Sequence, residues 1–362
     1  MTTVRSFAQL SAEDPTIQEH TLEVPEPQGH EVIVDITHAG VCHTDIHVRE
    51  GGYDLGSAGW MSMTDRGVKH PLVMGHEIAG TISAVGPDVT DRKVGDQVAV
   101  YPWLGCGECA TCADGHENLC MHASRIIGIM RPGGYAEQVS VPHEKYCVPL
   151  DGVDPAWGAT LACSGLTAVA SADHVLSMTA LEKDLPVAVI GAGGVGLMCV
   201  AALHAQGLTN IAVLDRSDAN FERAQELGAR QTMLVQDETT PDDVKTALGD
   251  SPVAVIDVVN SGTTATLAFN TVRKGGRVIL VGLFGGEIVL PTVLFTLTQK
   301  SIVGNYVGGL QHLHTALSLA REGRLPRIPV QETPMTADSV QQTLDDLEAG
   351  RSRGRTVLTV SR

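Results

Sequence analysis

The sequence predicts two domains, an irregular all-β domain followed by a doubly wound α/β domain with a parallel sheet. The 362 residues are enough to build two hydrophobic cores. From about residue 20 to 150, short β-branched runs such as HEVIVDITHAG and EIAGTISAVG are separated by Gly, Pro and Asp, as in an all-β domain. From about residue 165, continuous apolar strands alternate with amphipathic helices, which is typical of a parallel sheet covered on both faces.

The composition excludes several classes of partner. The net charge is −17 and 43% of the residues are hydrophobic, so the chain is globular and repels phosphate backbones and anionic membranes. The N-terminal MTTVRSFAQLSAEDP lacks the apolar core of a signal peptide, and no window approaches the roughly 18 apolar residues of a membrane span. We therefore expect a cytoplasmic protein with small-molecule partners and with neither nucleic acid nor membrane among them.

In the first domain, four of the eight cysteines form a compact cluster in the loop 105–121. Cys106, Cys109, Cys112 and Cys120 have the spacing C-x2-C-x2-C-x7-C. Four thiolates this close in sequence fill every position of a tetrahedral Zn²⁺, which leaves none for a substrate. The alternatives are an iron–sulfur cluster and unligated thiols, although the spacing lacks the x3-C-P ending of bacterial ferredoxins. The pattern favours a structural zinc.

Two of the other four cysteines lie in segments rich in polar groups. Cys147 and Cys199 are most simply packing residues, whereas Cys42 belongs to GVCHTDIH and Cys163 to LACSGLT. A catalytic zinc has three protein ligands and one open position, and two Cys with one His is a known set. His76 in GHEIAG, followed by Glu77, is the most distinctive histidine. Simple burial of each residue remains the alternative at this point.

The second domain opens with a glycine-rich turn between the strand PVAVI and an apolar helix. That context fits a dinucleotide site, where the glycines let a pyrophosphate approach the helix N-terminus. The turn comprises Gly191, Gly193, Gly194, Val195 and Gly196.

Asp215 and Arg216 bear on the choice of cofactor. Asp215 ends the second strand, where a carboxylate accepts hydrogen bonds from the adenosine ribose and repels a 2′-phosphate. This favours NAD over NADP. Arg216 weakens the preference, because a guanidinium can pair with that phosphate.

Together these motifs resemble the zinc-dependent medium-chain alcohol dehydrogenases. GVCHTDIH, GHEIAG, VGDQVAV, the four-cysteine loop, GGYAEQV, LACSGLT, GAGGVG and GRTVL occur in family order over nearly the whole chain. The resemblance implies a GroES-like catalytic domain over 1–164, a Rossmann NAD-binding domain over 165–303, and a segment over 304–362 that returns to the catalytic domain. It also implies two zinc ions per chain and a homodimer or homotetramer, with the segment near RVILVGLFGGEIVL at the subunit interface.

The resemblance further implies the roles of individual catalytic residues. Zinc would bind the alcohol oxygen and lower its pKa, so that hydride passes to NAD and the proton leaves through a relay. The family's zinc ligands fall on Cys42, His76 and Cys163, and Glu77 matches a carboxylate that can approach the metal. Asp45 matches a carboxylate that orients the ligand histidine. Thr44 and His47 match the two ends of the proton relay.

Cofactor contacts are implied in the same way. His43 and Arg355 match positions where the family places basic side chains against the pyrophosphate. The nicotinamide pocket is matched by Val258, Val281, Leu283 and Val303.

The segment between His47 and His76 is longer than expected. The resemblance implies a shorter connection in close relatives. It contains 28 residues and begins and ends at proposed site positions, so we expect it to border the substrate entrance. Tyr53, Trp60, Met61 and Met63 in it form either an apolar wall of the pocket or an ordinary packed loop. Trp103 is a second pocket candidate by family position.

These residues predict that the substrates are alcohols bulkier than ethanol, aromatic or cyclic ones included. A polyol or amino-alcohol dehydrogenase and an aldehyde reductase are alternatives on the same scaffold. A zinc-free quinone reductase is disfavoured by the predicted ligand triad, and a non-catalytic zinc protein by the relay residues.

Overall fold

The computed structural model of the chain describes residues 1–178, 185–352 and 354–360. The first part of the chain consists mainly of short strands, most of them antiparallel. Its helices are α1 (His43–Glu50), α2 (Ala110–Ala113), α3 (Pro155–Thr160) and α4 (Leu166–Leu176), with a π-helical turn at Leu161–Gly165. Its strands are β1 (Thr2–Ser11), β2 (Asp14–Val24), β3 (Val32–Gly40), β4 (Gly52–Asp54), β5 (Trp60–Ser62), β6 (Leu72–Val73), β7 (Glu77–Val85), β8 (Gln97–Val100), β9 (Gln138–Val141) and β10 (Cys147–Pro149).

Strand β3 organises the larger sheet of this region. Its Val32, Val34 and Ile36 are fully buried, as the period-two pattern of the sequence requires. β3 pairs antiparallel with β7, and the register ends with Gly40 opposite Glu77. The segments that follow β3 and precede β7 therefore meet at one edge of the sheet.

The second sheet is parallel and has the strand order β13-β12-β11-β14-β15-β16. The order reverses between β11 and β14, which creates a crevice at the carboxyl ends of these two strands. Every residue of β11 and of β14 is buried, as expected for a sheet covered on both faces. The strands are β11 (Val187–Ile190), β12 (Ile211–Asp215), β13 (Gln231–Leu234), β14 (Ala254–Asp257), β15 (Arg277–Leu280) and β16 (Ser301–Gly304), and the helices are α5 (Gly194–Ala205), α6 (Phe221–Glu226), α7 (Pro241–Leu248), α8 (Gly262–Thr271) and α9 (Thr292–Thr298).

The C-terminal segment joins the first region again. It contains α10 (Leu310–Arg321), β17 (Val330–Pro334), α11 (Ala337–Glu348) and β18 (Arg355–Thr359). β18 pairs antiparallel with β3, with Val357 opposite Gly40, and β17 pairs with β18. The predicted domain limits at residues 164 and 303 stay predictions.

A buried arginine fixes α1 to this returning segment. The guanidinium of Arg49 donates to Asp345 at 2.7 Å and to Glu348 at 2.6 Å, both on α11. The carbonyl of Arg49 also accepts from the amide of Gln9. Helix α1 is therefore held from two sides.

The helices of the fold are short. The longest contain 12 residues, and within the described ranges none combines the length and the apolar composition that crossing a bilayer requires.

Candidate active site

Cys42, His76 and Cys163 come together at the edge where β3 and β7 meet. Cys42 caps the N-terminus of α1, His76 immediately precedes β7, and Cys163 lies in the π-helical turn. The two sulfurs are 4.0 Å apart. Ligand atoms of these three residues and of Glu77 lie within 4.8 Å of one another, and all four residues are buried. The structure thus gathers residues that are up to 121 positions apart in sequence.

The donor set of this cluster fits zinc. Sulfurs bound at about 2.3 Å in a tetrahedral site lie about 3.8 Å apart, close to the separation of Cys42 and Cys163. The Nε2 atom of His76 is buried and has no hydrogen-bond partner, which leaves its lone pair for a metal. The Cys163 thiol and the His76 imidazole hold the pKa of Cys42 well below its usual value, which favours the thiolate that binds metals.

Asp45 supports this cluster through a buried network. Its carboxylate accepts from the backbone N–H of Cys42 at 3.0 Å, from the hydroxyl of Tyr135 at 3.1 Å and from the N–H of Gly75 at 3.3 Å. It also lies 3.2 Å from Nδ1 of His76. Burial lowers the pKa of His76, but the Asp45 carboxylate and Cys42 together outweigh that effect and raise it. Asp45 thus places a carboxylate beside Nδ1 of the histidine.

Glu77 and Arg355 form a fully buried ion pair next to the cluster. Burial raises the pKa of Glu77 to about 7, although the guanidinium of Arg355 favours the carboxylate. The Cδ atom of Arg355 also lies 2.6 Å from where a Cβ atom on Gly194 would stand. Arg355 therefore connects the candidate metal site with the glycine turn at the start of α5.

Thr44 and His47 lie on α1, and His47 faces the hairpin β4–β5. The hydroxyl of Thr44 is 3.9 Å from the sulfur of Cys42. The ring of His47 is 5.1 Å from the ring of Tyr53, and its Nδ1 is 3.7 Å from Glu50. Burial lowers the pKa of His47, so its imidazole is neutral at pH 7 and can accept a proton.

His43 lies on the first turn of α1 and faces the parallel-sheet domain. Its ring is 5.6 Å from the ring of Phe284, which is also 6.4 Å from the ring of His47. Burial lowers the pKa of His43.

The four-cysteine cluster also comes together. The Sγ atoms of Cys109 and Cys112 are 3.5 Å apart and those of Cys106 and Cys112 are 3.8 Å apart. Those of Cys109 and Cys120 are 3.9 Å apart. These separations again match a tetrahedral zinc. The loop is fixed to the domain by Glu117, which accepts from the hydroxyl of Tyr146 at 2.5 Å.

A third cluster of possible ligands, His30, His143 and Glu144, has partners already. Nδ1 of His143 accepts from the N–H of Lys145, and Nδ1 of His30 bonds to the carboxylate of Glu144 at 3.1 Å. Because the lone pair of His143 Nδ1 is engaged, this cluster does not form a ready metal site as built.

The glycine turn lies at the crevice where the strand order reverses. Gly191 directly follows β11 and has a φ of 102°, which favours glycine. The carboxylate of Asp215 accepts from the N–H of Ala192 at 2.6 Å, so it lies at the turn as predicted. Arg216 is exposed and pairs with Asp237.

The predicted nicotinamide positions lie along the same edge of the sheet. Val258 follows β14, Val281 follows β15, and Leu283 lies two residues farther on, while Val303 belongs to β16. Because these strands are parallel and adjacent, their carboxyl ends face one crevice.

Comparison with known proteins identifies the family. The profile of the alcohol dehydrogenase GroES-like domain matches residues 28–152, and that of the zinc-binding dehydrogenases matches residues 194–322. The chain is 34% identical to an NAD-dependent alcohol dehydrogenase of Sulfurisphaera tokodaii over 93% of this chain and 94% of that protein. The chain belongs to the zinc-dependent medium-chain alcohol dehydrogenase family.

Further similarities lie within this family. The structure of the alcohol dehydrogenase from Aeropyrum pernix superimposes with a TM-score of 0.86 at 27% identity, covering 98% of this chain and 99% of that one. The D-arabinose 1-dehydrogenase (NADP(+)) of Saccharolobus solfataricus is 30% identical over 93% of each chain. The predicted family, the GroES-like and Rossmann folds, the use of zinc and NAD, and the activity as an oxidoreductase on alcohols are confirmed.

Trp60 and Trp103, predicted to line the substrate pocket of this alcohol dehydrogenase, occupy different environments. Trp103 is buried, with its ring 5.3 Å from His76 and 5.9 Å from Tyr306. Trp60 is 56% exposed and its indole nitrogen lies against Gly52. Trp103 therefore borders the candidate metal site directly, while Trp60 covers the hairpin.

The other large residues of the inserted segment divide in the same way. Met63 is buried in the core and Met61 contacts the guanidinium of Arg66, whereas Tyr53 faces His47. Tyr53 is thus the residue of this group that borders the relay.

Three residues near the site were missed by reasoning from the sequence. Tyr135 lies in the motif GGYAEQV, which contributed to the resemblance but was given no role. Phe284 and Tyr306 lie outside every motif, and they reach the cleft only because the two domains meet there. For these two the sequence contains no local signal.

Proposed function

We propose that this alcohol dehydrogenase holds its catalytic zinc through Cys42, His76 and Cys163. The single observation that carries the proposal is the meeting of two thiols and a free imidazole nitrogen in one buried cluster. The donor types and the sulfur separation support zinc. The four cysteines of the loop 105–121 would hold a second, structural zinc.

Zinc at this position supplies a Lewis acid that lowers the pKa of an alcohol. The residues of the chain then have separate tasks. The hydroxyl of Thr44, 3.9 Å from the Cys42 sulfur, would accept the alcohol proton while giving up its own, and neutral His47 would release the relayed proton to solvent. Asp45 positions His76 and is a positioning residue, since it touches neither substrate nor cofactor.

The crevice between β11 and β14 would bind NAD with its nicotinamide toward the metal cluster. Asp215 favours NAD because its carboxylate suits a ribose hydroxyl and repels a 2′-phosphate. Arg216 faces Asp237, which supports the same choice. His43 and Arg355 would contact the pyrophosphate, and Arg355 is already close to Gly194.

We further propose substrates bulkier than ethanol. The candidate pocket is bordered by the rings of Tyr53, Trp103 and Tyr306, which favour flat apolar alcohols such as aromatic or cyclic ones. A polyol or sugar is the second candidate, because phenol hydroxyls can bind additional substrate hydroxyls and one relative is a D-arabinose dehydrogenase.

A substrate panel together with metal analysis tests these proposals. Purified protein should contain about two zinc ions per chain, and it should prefer benzyl alcohol or cyclohexanol over ethanol in kcat/KM with NAD. D-arabinose and sorbitol test the second candidate, and NADP tests the cofactor. One zinc per chain would contradict the catalytic metal. An unchanged ratio of benzyl alcohol to ethanol after shortening of the segment 51–70 would contradict its role in specificity.

A homo-oligomer is also proposed. Val289, Val293 and Leu297, which lie after β15 and on α9, are 85, 62 and 67% exposed, and such a patch is typical of a subunit interface. Val293→Asp should lower the mass found by sedimentation equilibrium to that of a smaller assembly. A cytoplasmic location is supported by the eight cysteines, none of which is in a disulfide, since a reducing compartment keeps thiols available for metals.

A further inference from the structure

The hairpin formed by β4 and β5 crosses from the first domain to the parallel-sheet domain. It contacts the segment 282–287, which directly follows β15. The carbonyl of Asp54 accepts from the N–H of Gly286 at 3.3 Å. The hydroxyl of Ser57 donates to the carboxylate of Glu287 at 2.5 Å. We call the hairpin 52–62 and the segment 282–287 together the clasp.

The two sides of the clasp are in close backbone contact. A Cβ atom on Gly285 would lie 2.6 Å from the carbonyl oxygen of Asp54, and one on Gly56 would lie 3.0 Å from Cβ of Glu287. Real Cβ atoms essentially never approach a neighbour to 2.6 Å. The absence of side chains at these positions therefore lets the domains dock at the clasp.

The clasp borders the proposed nicotinamide pocket on one side and the proton relay on the other. Its segment 282–287 follows Val281 and contains Leu283, two of the proposed nicotinamide positions. The same segment presents the ring of Phe284 to His43 and His47. The hairpin presents Tyr53 to His47 as well.

We propose that the clasp is a latch between the domains that sets how fast the cofactor leaves. This inference rests on the proposed position of NAD in the crevice. The cofactor lies between the domains in that arrangement, so its release requires them to separate at the clasp. The hairpin belongs to the inserted segment between His47 and His76, so the latch is a property of this chain's own loop.

The first experiment breaks the side-chain contact. Ser57→Ala and Glu287→Ala should each raise the NADH dissociation rate, measured by stopped-flow fluorescence, by roughly 3- to 10-fold, the range expected for one hydrogen bond. Because both variants remove the same bond, the double variant should dissociate NADH no faster than the faster single variant. Ser62→Ala is the matched control, since Ser62 bonds to Asp65 within its own domain.

The second experiment uses two neighbouring glycines. Gly285 and Gly286 have φ of 90° and 88°, so alanine is strained at both positions. Only at Gly285 would the new Cβ meet the Asp54 carbonyl oxygen, at 2.6 Å, whereas a Cβ on Gly286 would have the backbone nitrogen of Gly262 as its nearest neighbour, at 3.3 Å. Gly285→Ala should therefore speed hydrogen exchange of residues 52–62 in the cofactor-free protein and raise the NADH dissociation rate, while Gly286→Ala should leave the hairpin protected.

The outcomes separate the latch from the proposed function. Loss of NADH binding or of zinc in the unaltered enzyme would contradict the proposed function itself. Intact binding with equal dissociation rates in Ser57→Ala, Glu287→Ala and Ser62→Ala, together with equal hairpin exchange in the two glycine variants, would overturn the latch alone.

Discussion

The two proposed zinc sites contain related ligands but are built in opposite ways. In the loop 105–121 the four sulfurs come from a stretch of 15 residues, most of them partly exposed. At the other site Cys42, His76 and Cys163 come from three separate elements and all are buried. In the loop, local chain geometry brings the ligands together, whereas at the buried site the whole first domain does.

From this difference we expect the loop to need its metal and the buried site to be largely prepared by the fold. The loop has only the four-residue helix α2 and a three-residue turn at Glu117–Leu119 as regular structure. We therefore expect its shape to depend on a bound metal. At the buried site, the register of β3 with β7 and the network of Asp45 help to position the ligands, so we expect this site to depend less on its metal.

The largest expected effect is on catalysis, at the buried site. Cys42→Ser should remove one of two zinc ions and lower kcat/KM by at least about a thousandfold, because the Lewis acid contributes several kcal/mol to the transition state. Thermal stability should change little relative to Cys199→Ala, a control that alters a buried cysteine outside the site. Mass spectrometry measures the zinc content, and steady-state kinetics measures kcat/KM. Retention of two zinc ions with normal activity would refute the ligand assignment.

The next effect is on stability, at the loop. Cys112→Ser should also remove one zinc ion, but here the consequence is local unfolding, with the melting temperature lower by about 5–15 °C. The enzyme that remains folded should keep its activity within about tenfold. Limited proteolysis should cut within 105–121 in the variant only. A loss of activity as large as in Cys42→Ser, without a lower melting temperature, would remove the distinction between the two sites.

The same difference explains how much could be predicted from the sequence. The four-cysteine loop could be recognised from spacing alone, because its geometry is local. The two folds followed from the change from short β-branched runs to alternating strands and helices. The order of strands around β11 agrees with the glycine turn that the sequence places there.

The buried site could not be predicted in this way. Nothing in the spacing selects His76 from 14 histidines, since its meeting with Cys42 depends on the pairing of β3 and β7. The context GHEIAG made His76 a candidate, and the resemblance to a family supplied its role as a ligand. Phe284 and the clasp depend on how two domains meet, which neither periodicity nor motifs describe.

A smaller effect would test whether the fold positions the histidine. Asp45→Asn should lower the affinity of the buried site for zinc by about 10- to 100-fold, as is usual when a partner of a ligand histidine is lost. Tyr135→Phe removes one of several donors to Asp45 and should cost less, on the order of threefold. Competition with a fluorescent chelator measures the zinc affinity of both variants. Equal affinities in Asp45→Asn and the parent would show that the ligands need no such support.

The smallest effect concerns the connection to solvent, which only a catalytic site requires. His47→Gln should keep both zinc ions and lower kcat for alcohol oxidation about tenfold at pH 7. Burial lowers the pKa of His47 more than the nearby Cys42 raises it, and Glu50, Tyr53 and Phe284 lie around its ring. The unaltered enzyme therefore has a neutral acceptor at pH 7 and loses it as the pH falls below that lowered pKa.

At high pH hydroxide can remove the proton directly, so the deficit of the variant should shrink as the pH rises from 7 to 10. A deficit that stays constant over this range would mean that His47 supports the site structurally and does not carry the proton. Cys112→Ser serves as the control, because its pH profile should parallel that of the unaltered enzyme. A proton relay at the buried site alone would mean that the two metal sites differ in their chemistry as well as in their structure.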